Sequence, residues 1–221
     1  MTLQLGRLFK HIVPASIIQQ KLLGKGQVLF TFDDGPDPDI TPKVLDIMDK
    51  YDARGLFFIP GIRIKRAPGL LQEIVQRKHG LGNHSLSHTS NASLSFRELV
   101  KEINDGSDKI FSVSGVRTAI YRPPMGIVPL KLIFAAQYCR HKIMRWSLMS
   151  GEYSHLVNAT AQELADSLLN DIRDQAIVVS HDDHEAMPEF LELVIPQLID
   201  RGFDLKTGLS SVTWRADSEN N

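Results

Sequence analysis

The chain has almost nothing with which to staple itself together. Cys139 is the only cysteine among 221 residues, which excludes an intramolecular disulfide and leaves that side chain to pack as a small apolar group. An excess of one charge is missing too, since Lys+Arg 25 stands against Asp+Glu 26. That balance lacks the basic footprint of a nucleic-acid binder, so no nucleic-acid partner is expected. Long apolar runs are also absent. A secretory signal needs an unbroken stretch of ~7–15 apolar residues and a membrane span needs ~20. Residues 3–23 are rich in leucine and isoleucine, but Arg7, Lys10, His11, Gln19, Gln20 and Lys21 interrupt them. No signal peptide is evident, and the expected location is the cytoplasm or the cytoplasmic membrane surface. Repeats and low-complexity stretches are lacking as well.

What remains is ordinary globular material, 43% hydrophobic, in a length that suits one α/β barrel. Residues 1–26 have roughly helical apolar spacing broken at Pro14. They are expected to form a helical segment packed on the main domain, or to touch a membrane peripherally through residues 1–23. Residues 27–214 form the domain proper, and 215–221 read as a disordered tail. Nothing in the sequence sets an oligomeric state.

Within the domain, short apolar runs alternate with amphipathic segments. Strands are expected at 28–32, 56–59, 81–83, 119–121, 142–146, 176–180 and 203–206. Helices are expected at 41–51, 70–78, 96–113, 130–138, 161–173 and 189–201. Such alternation implies an α/β fold with a parallel sheet. Five strand ends carry a polar cluster: Asp33 with Asp34, His84, Arg122, the residues after Trp146, and His181. In parallel sheets the carboxyl end carries the chemistry. Convergence of five ends is easier in a barrel of about seven or eight strands than in an open, doubly wound sheet.

Three of those clusters supply a hydrolytic inventory. Asp33 and Asp34 precede Gly35 and Pro36, where a turn can bring both carboxylates to one site, one to bind metal and one to take a proton. His84 and His88 are four apart, the spacing that places two rings on one face of a helical turn to bind zinc. Two histidines and a carboxylate leave open positions for water and substrate. His181 follows an apolar strand, where small shifts place an imidazole pKa near neutrality for general-acid work. His184 competes for that role but falls in a turn and is expected to be exposed. The same triad also holds iron in non-haem oxygenases. Those enzymes need no second carboxylate, no arginine partner and no acid histidine.

The ordered motifs Thr-Phe-Asp-Asp-Gly-Pro (31–36), His-Ser-Leu-Ser-His (84–88), Arg-Pro-Pro-Met-Gly (122–126) and Val-Ser-His (179–181) resemble those of the NodB-homology polysaccharide deacetylases, carbohydrate esterase family 4. The likeness runs from about residue 28 to about 209. It implies a distorted (β/α) barrel, one divalent metal ion (zinc, or cobalt, manganese or nickel), and an N-acetylated glycan or sugar precursor as partner. It makes Asp33 the base, Asp34, His84 and His88 the metal ligands, Arg122 the partner of Asp33, and His181 the acid. The backbone N–H of Met125, where the family has an aromatic residue, would meet the oxyanion, with Pro124 and Val179 beside the substrate. Glu152 and Tyr153 stand where the family has Asp-Trp, so Glu152 would hold His181 protonated and Tyr153 would wall the acyl pocket. The alternatives within this resemblance are an O-acetyl esterase on a polysaccharide and a non-catalytic carbohydrate-binding relative.

Overall fold

Val28, Phe30 and Phe32 pack on one side of their strand and Leu29 on the other, and this two-residue alternation organises the molecule. The computed structural model describes residues 14–153 and 156–212. Eight strands are present among these residues: β1 (Ile18–Gln19), β2 (Val28–Asp33), β3 (Gly55–Ile59), β4 (Gly80–Asn83), β5 (Ile120–Tyr121), β6 (Lys142–Met144), β7 (Leu148–Met149) and β8 (Ala176–His181). Their order is β1-β6-β5-β4-β3-β2-β8-β7, with every pairing parallel. The sheet curls into a distorted (β/α) barrel, left open between β1 and β7. Leu22 N–H donates to the Gln175 carbonyl (2.9 Å), tying the chain after β1 to the foot of β8.

Among the described residues six α-helices wrap the sheet: α1 (Thr41–Lys50), α2 (Pro68–Gln76), α3 (Phe96–Ser114), α4 (Leu130–Tyr138), α5 (Ala161–Asp171) and α6 (Met187–Asp200). Ser95 and Thr160 open α3 and α5 with capping boxes closed by Glu98 and Glu163, which satisfy N–H groups the first turn leaves free. Gly115 ends α3 at φ 74°, a left-handed position that glycine adopts without a Cβ penalty. The outer core lies between strands and helices, where Phe30, Phe32 and Phe57 meet Leu45, Leu71, Leu164 and Phe190. The inner core fills the barrel with Leu29, Leu56, Phe58, Met144 and Ile177. A third cluster seats α3 and α4 on β5 and β6 and includes partly buried Cys139.

Three expectations need correction. The helical reading of 1–26 fails where it can be checked, because Ile18–Gln19 is a strand paired to β6 and Leu22 packs in the inner core. Two residues on a sheet edge are too short to show a period. Residues 1–13, and the tail 215–221, lie outside the described residues. Residues 203–206 form no strand; only Asp204 makes a bridge, to Gln27, because two Asp204-centred turn hydrogen bonds curl the chain away. β7 was not anticipated. Among the described residues no helix is long and apolar enough to cross a membrane.

Phe57 is fully buried and stacks on Phe32 with centroids 4.8 Å apart. Phe57→Ala is expected to cost about 3–5 kcal/mol through the lost transfer energy and the cavity left between β3 and the helices. Denaturant unfolding checks this as a lower midpoint at unchanged slope.

Candidate active site and metal centre

Parallel strands deliver their ends to one rim, and the register sets which residues meet there. Asp33 at the end of β2 lies level with Phe58 and His181, and Asn83 with Tyr121. The next residues along, His84 and Arg122, therefore emerge side by side.

Arg122 is fully buried, an expensive position for a guanidinium unless its donors are used. It donates to Asp33 Oδ1 (2.8 Å) and Thr31 Oγ1 (2.6 Å), and lies 4.0 Å over the Phe58 ring. Burial pushes the Asp33 pKa up, but Arg122, His84 and His181 outweigh it and hold the carboxyl below its ordinary value. Asp33 is thus kept ionised in a place where water could not do so.

Asp34 sits at φ 71°, which breaks the strand and swings its carboxylate to the same side as Asp33. His84 and His88 do not occupy a helical turn as expected. They lie on a loop that doubles back through left-handed Ser85 (φ 66°) and His88 (φ 59°). The reason for that departure is Glu102 on α3. Its carboxylate accepts from the N–H groups of Leu86 (3.0 Å) and Ser87 (2.8 Å) and from Ser87 Oγ (2.9 Å), replacing the bonds a helix would have made. Gly106 lets α3 approach, since a Cβ there would lie 3.0 Å from the Ser85 carbonyl carbon.

The donor atoms of Asp34, His84 and His88 all lie within 4.8 Å of one another. The Arg122 carbonyl can only accept, so His84 Nδ1 at 2.8 Å carries the proton and Nε2 is left with a lone pair. That nitrogen lies 3.9 Å from Asp34 Oδ1, and His88 Nε2 lies 3.1 Å from it. Asp34 Oδ1 is buried and accepts no hydrogen bond. A lone pair and an unpartnered carboxylate oxygen facing each other fit a bound cation, with one carboxylate and two imidazoles suited to zinc.

On the far strand, His181 Nδ1 donates to Glu152 Oε1 (2.8 Å), and Ser150 Oγ donates to the other Glu152 oxygen. Burial lowers the His181 pKa, but the Glu152 hydrogen bond and the charges of Asp33, Glu152 and Asp34 more than offset it, leaving it raised. Tyr153 packs edge-on against His181 with centroids 4.7 Å apart, and its hydroxyl donates to Asp183 (3.2 Å). His184 is not exposed as expected; it is half-buried because Tyr153 also packs on its ring.

Asp33, Asp34, His84, His88, Met125, Tyr153, Val179 and His181 line one pocket of about 500 Å³. Arg122, Glu152 and Pro124 are buried and do not line it. The sequence reading missed Arg63 and Asp183, an ion pair (3.2 Å) at the wall, and the lining side chains of Trp146 and Met149. It also missed Glu102. Its signal was present: with Leu99, Ile103 and Gly106 it falls at i, i+3, i+4, i+7, a carboxylate on the buried face of a helix.

The sequence profile described as "Polysaccharide deacetylase" matches residues 21–144, more than half of the chain. The chain belongs to this family. This polysaccharide deacetylase homologue is 29% identical to the peptidoglycan-N-acetylmuramic acid deacetylase PdaC of Bacillus subtilis over 81% of its own length. It spans only 37% of PdaC. It is 27% identical to a peptidoglycan-N-acetylglucosamine deacetylase of Bacillus cereus, covering 90% of this chain and 94% of that one. Among solved structures, a family 4 acetyl xylan esterase from Clostridium thermocellum, in complex with a cobalt ion, aligns with TM-score 0.72 at 30% identity, over 80% of this chain and 86% of that one. The profile match ends before Glu152 and His181, so the placement of those two rests on the geometry above.

Glu102→Gln keeps the size but puts an amide NH₂ where the loop needs an acceptor. Zinc affinity is expected to fall about 10–100-fold, read by competition with a chromophoric chelator, as for other supports of metal ligands.

Proposed function

We propose that this polysaccharide deacetylase homologue is a metal-dependent hydrolase that removes N-acetyl groups from an amino sugar in a glycan or glycan precursor. One observation carries the reading. A carboxylate held ionised by Arg122 and an imidazole held proton-bearing by Glu152 line the same pocket as three convergent metal donors. Such paired groups, with pKa values pushed in opposite directions, mark a base and an acid.

Asp34, His84 and His88 would hold the divalent ion, zinc in the first instance, which acts when bound as a Lewis acid toward the acyl carbonyl and toward water. Asp33, charged and oriented by Arg122, takes a proton from the attacking water as its oxygen bonds to the acyl carbon. The backbone N–H of Met125, on the pocket wall, donates to the oxygen that gains negative charge. An amide nitrogen leaves poorly as an anion, so His181 delivers a proton to it from Nε2 as the C–N bond breaks. Acetate and a free amino sugar result. Glu152 holds Nδ1–H and thereby directs Nε2 to the substrate. Tyr153, Val179 and Met149 bound the space beside His181 in which the acyl methyl fits.

The test is acetate release from N-acetylglucosamine oligomers by the metal-loaded chain. Turnover is expected, with loss on chelation and recovery on zinc addition. Asp33→Asn is expected to lower kcat by at least 10²-fold, the scale of general-base catalysis, while zinc stays bound. Full turnover by that variant would remove Asp33 from the role, and acetate released only from O-acetylated xylan would favour the esterase.

Turnover that needs protonated His181 declines as pH rises through its pKa. Glu152→Gln removes the interaction that raises that pKa, so the alkaline limb of the kcat profile is expected to move to lower pH. An unmoved limb would take Glu152 out of the acid's environment.

A further inference from the structure

Helix α4 buries one face, and among the described residues nothing covers the other. Leu132, Ala135 and Ala136 are buried against β5, β6 and α3, whereas Leu130, Phe134 and Tyr138, at i, i+4 and i+8, are 58%, 61% and 72% exposed. Amphipathic surface helices normally turn charge outward there. Ile127, just before the helix, and Phe96, whose ring meets that of Tyr138 at 6.2 Å, extend the stripe on the protein surface. Single exposed apolar side chains are unremarkable, but a contiguous stripe marks a binding surface.

Charge selects the partner. Arg97 and Arg140 are exposed beside the stripe and, among the described residues, form no ion pair. Lys131, on the helix itself, bonds only a carbonyl, that of Ala92. Glu98, which caps α3 through Ser95, faces the Lys131 charge and leaves the two arginines unpaired. Two arginines without carboxylate partners beside aliphatic and aromatic side chains match an anionic headgroup layer above acyl chains. A sugar chain would use the rings but gives Leu130 and Ile127 nothing to do. A second copy of the chain would need about 800 Å² of surface per partner, more than a stripe of five side chains offers.

We propose that the outer face of α4, with Ile127 and Phe96, docks on an anionic membrane surface. Met125, 65% exposed, lies two residues before Ile127 and also lines the catalytic pocket. Docking therefore brings the pocket mouth to the bilayer. Resting on the deacetylase reading, this makes a glycan held at the membrane surface the substrate class.

Sedimentation of the full chain with phosphatidylglycerol–phosphatidylethanolamine vesicles tests the surface, with phosphatidylcholine vesicles as the neutral comparison. Binding to the anionic vesicles is expected, at least tenfold weaker on the neutral ones. Phe134→Ser with Tyr138→Ser should weaken anionic-vesicle binding at least tenfold, and Arg97→Gln with Arg140→Gln should weaken it and flatten its salt dependence. Leu8→Ser with Phe9→Ser, in the N-terminal stretch, should leave most binding intact. Acetate release from soluble oligomers should be unchanged in all three variants, which separates this proposal from the function of the site. Failure of the full chain to sediment, or sedimentation that survives the α4 changes and is lost with the N-terminal ones, overturns it. A rise in KM for soluble oligomers in the α4 variant, without an effect on vesicles, would assign the stripe to glycan instead.

Discussion

Arg122 is the side chain on which the rest of the site depends. Removing two charges from water costs several kcal/mol each, and an ion pair inside a protein repays that only with good geometry and further hydrogen bonds. Here the barrel supplies both. The guanidinium pairs with Asp33, takes Thr31 Oγ1 as a second acceptor, and lies against the Phe58 ring with Trp146 near by. Those partners come from β2, β3 and the segment after β6. The arginine therefore requires the curled sheet, because a flat one would not bring these strands around a single group.

Its backbone works as hard as its side chain. The Arg122 carbonyl fixes the tautomer of His84, and its N–H donates to the Asn83 carbonyl (2.9 Å), joining the ends of β4 and β5. Asp33 and His84 are thus oriented by one residue. Asn83 continues the chain of support outward, donating to the Ile103 carbonyl (2.7 Å) and Ser107 on α3. The helix that anchors Asn83 is the one whose Glu102 holds the histidine loop. The Asp34, His84 and His88 cluster is in this way built from two strand ends but made rigid from the helical layer, which is how a short polar loop keeps left-handed residues without fraying.

This division explains what could be read in the sequence. Asp33, Asp34, His84, Arg122 and His181 were legible because each follows a short apolar strand, and parallel strands end together. The loop path between His84 and His88 was not, since i, i+4 spacing suggests a helix and only contact with Glu102 changes it. Ile18–Gln19 and Leu148–Met149 escaped for a different reason: two-residue strands have no period to detect, and their partners in β6 and β8 are distant in sequence. Asp204 was read as strand from its apolar neighbours, although a lone aspartate two residues before Lys206 and three before Thr207 is turn chemistry.

The pairs Asp33–Arg122 and His181–Glu152 each place one member in the pocket and one behind its wall, which bears on chemistry at a single pH. Arg122 favours loss of the proton from Asp33, and Glu152 favours its retention on His181. Either change alone would follow from burial among opposite charges, but each group also feels the other: the His181 charge helps lower the Asp33 pKa, and the Asp33 charge helps raise that of His181. In the proposed mechanism a charged Asp33 and a protonated His181 would therefore stabilise one another. In the proposed reaction, proton uptake by Asp33 would remove part of what holds the proton on His181, so the first transfer would prepare the second. That coupling suits a reaction in which water must lose a proton before nitrogen can receive one, and it needs no movement of the chain between the two steps.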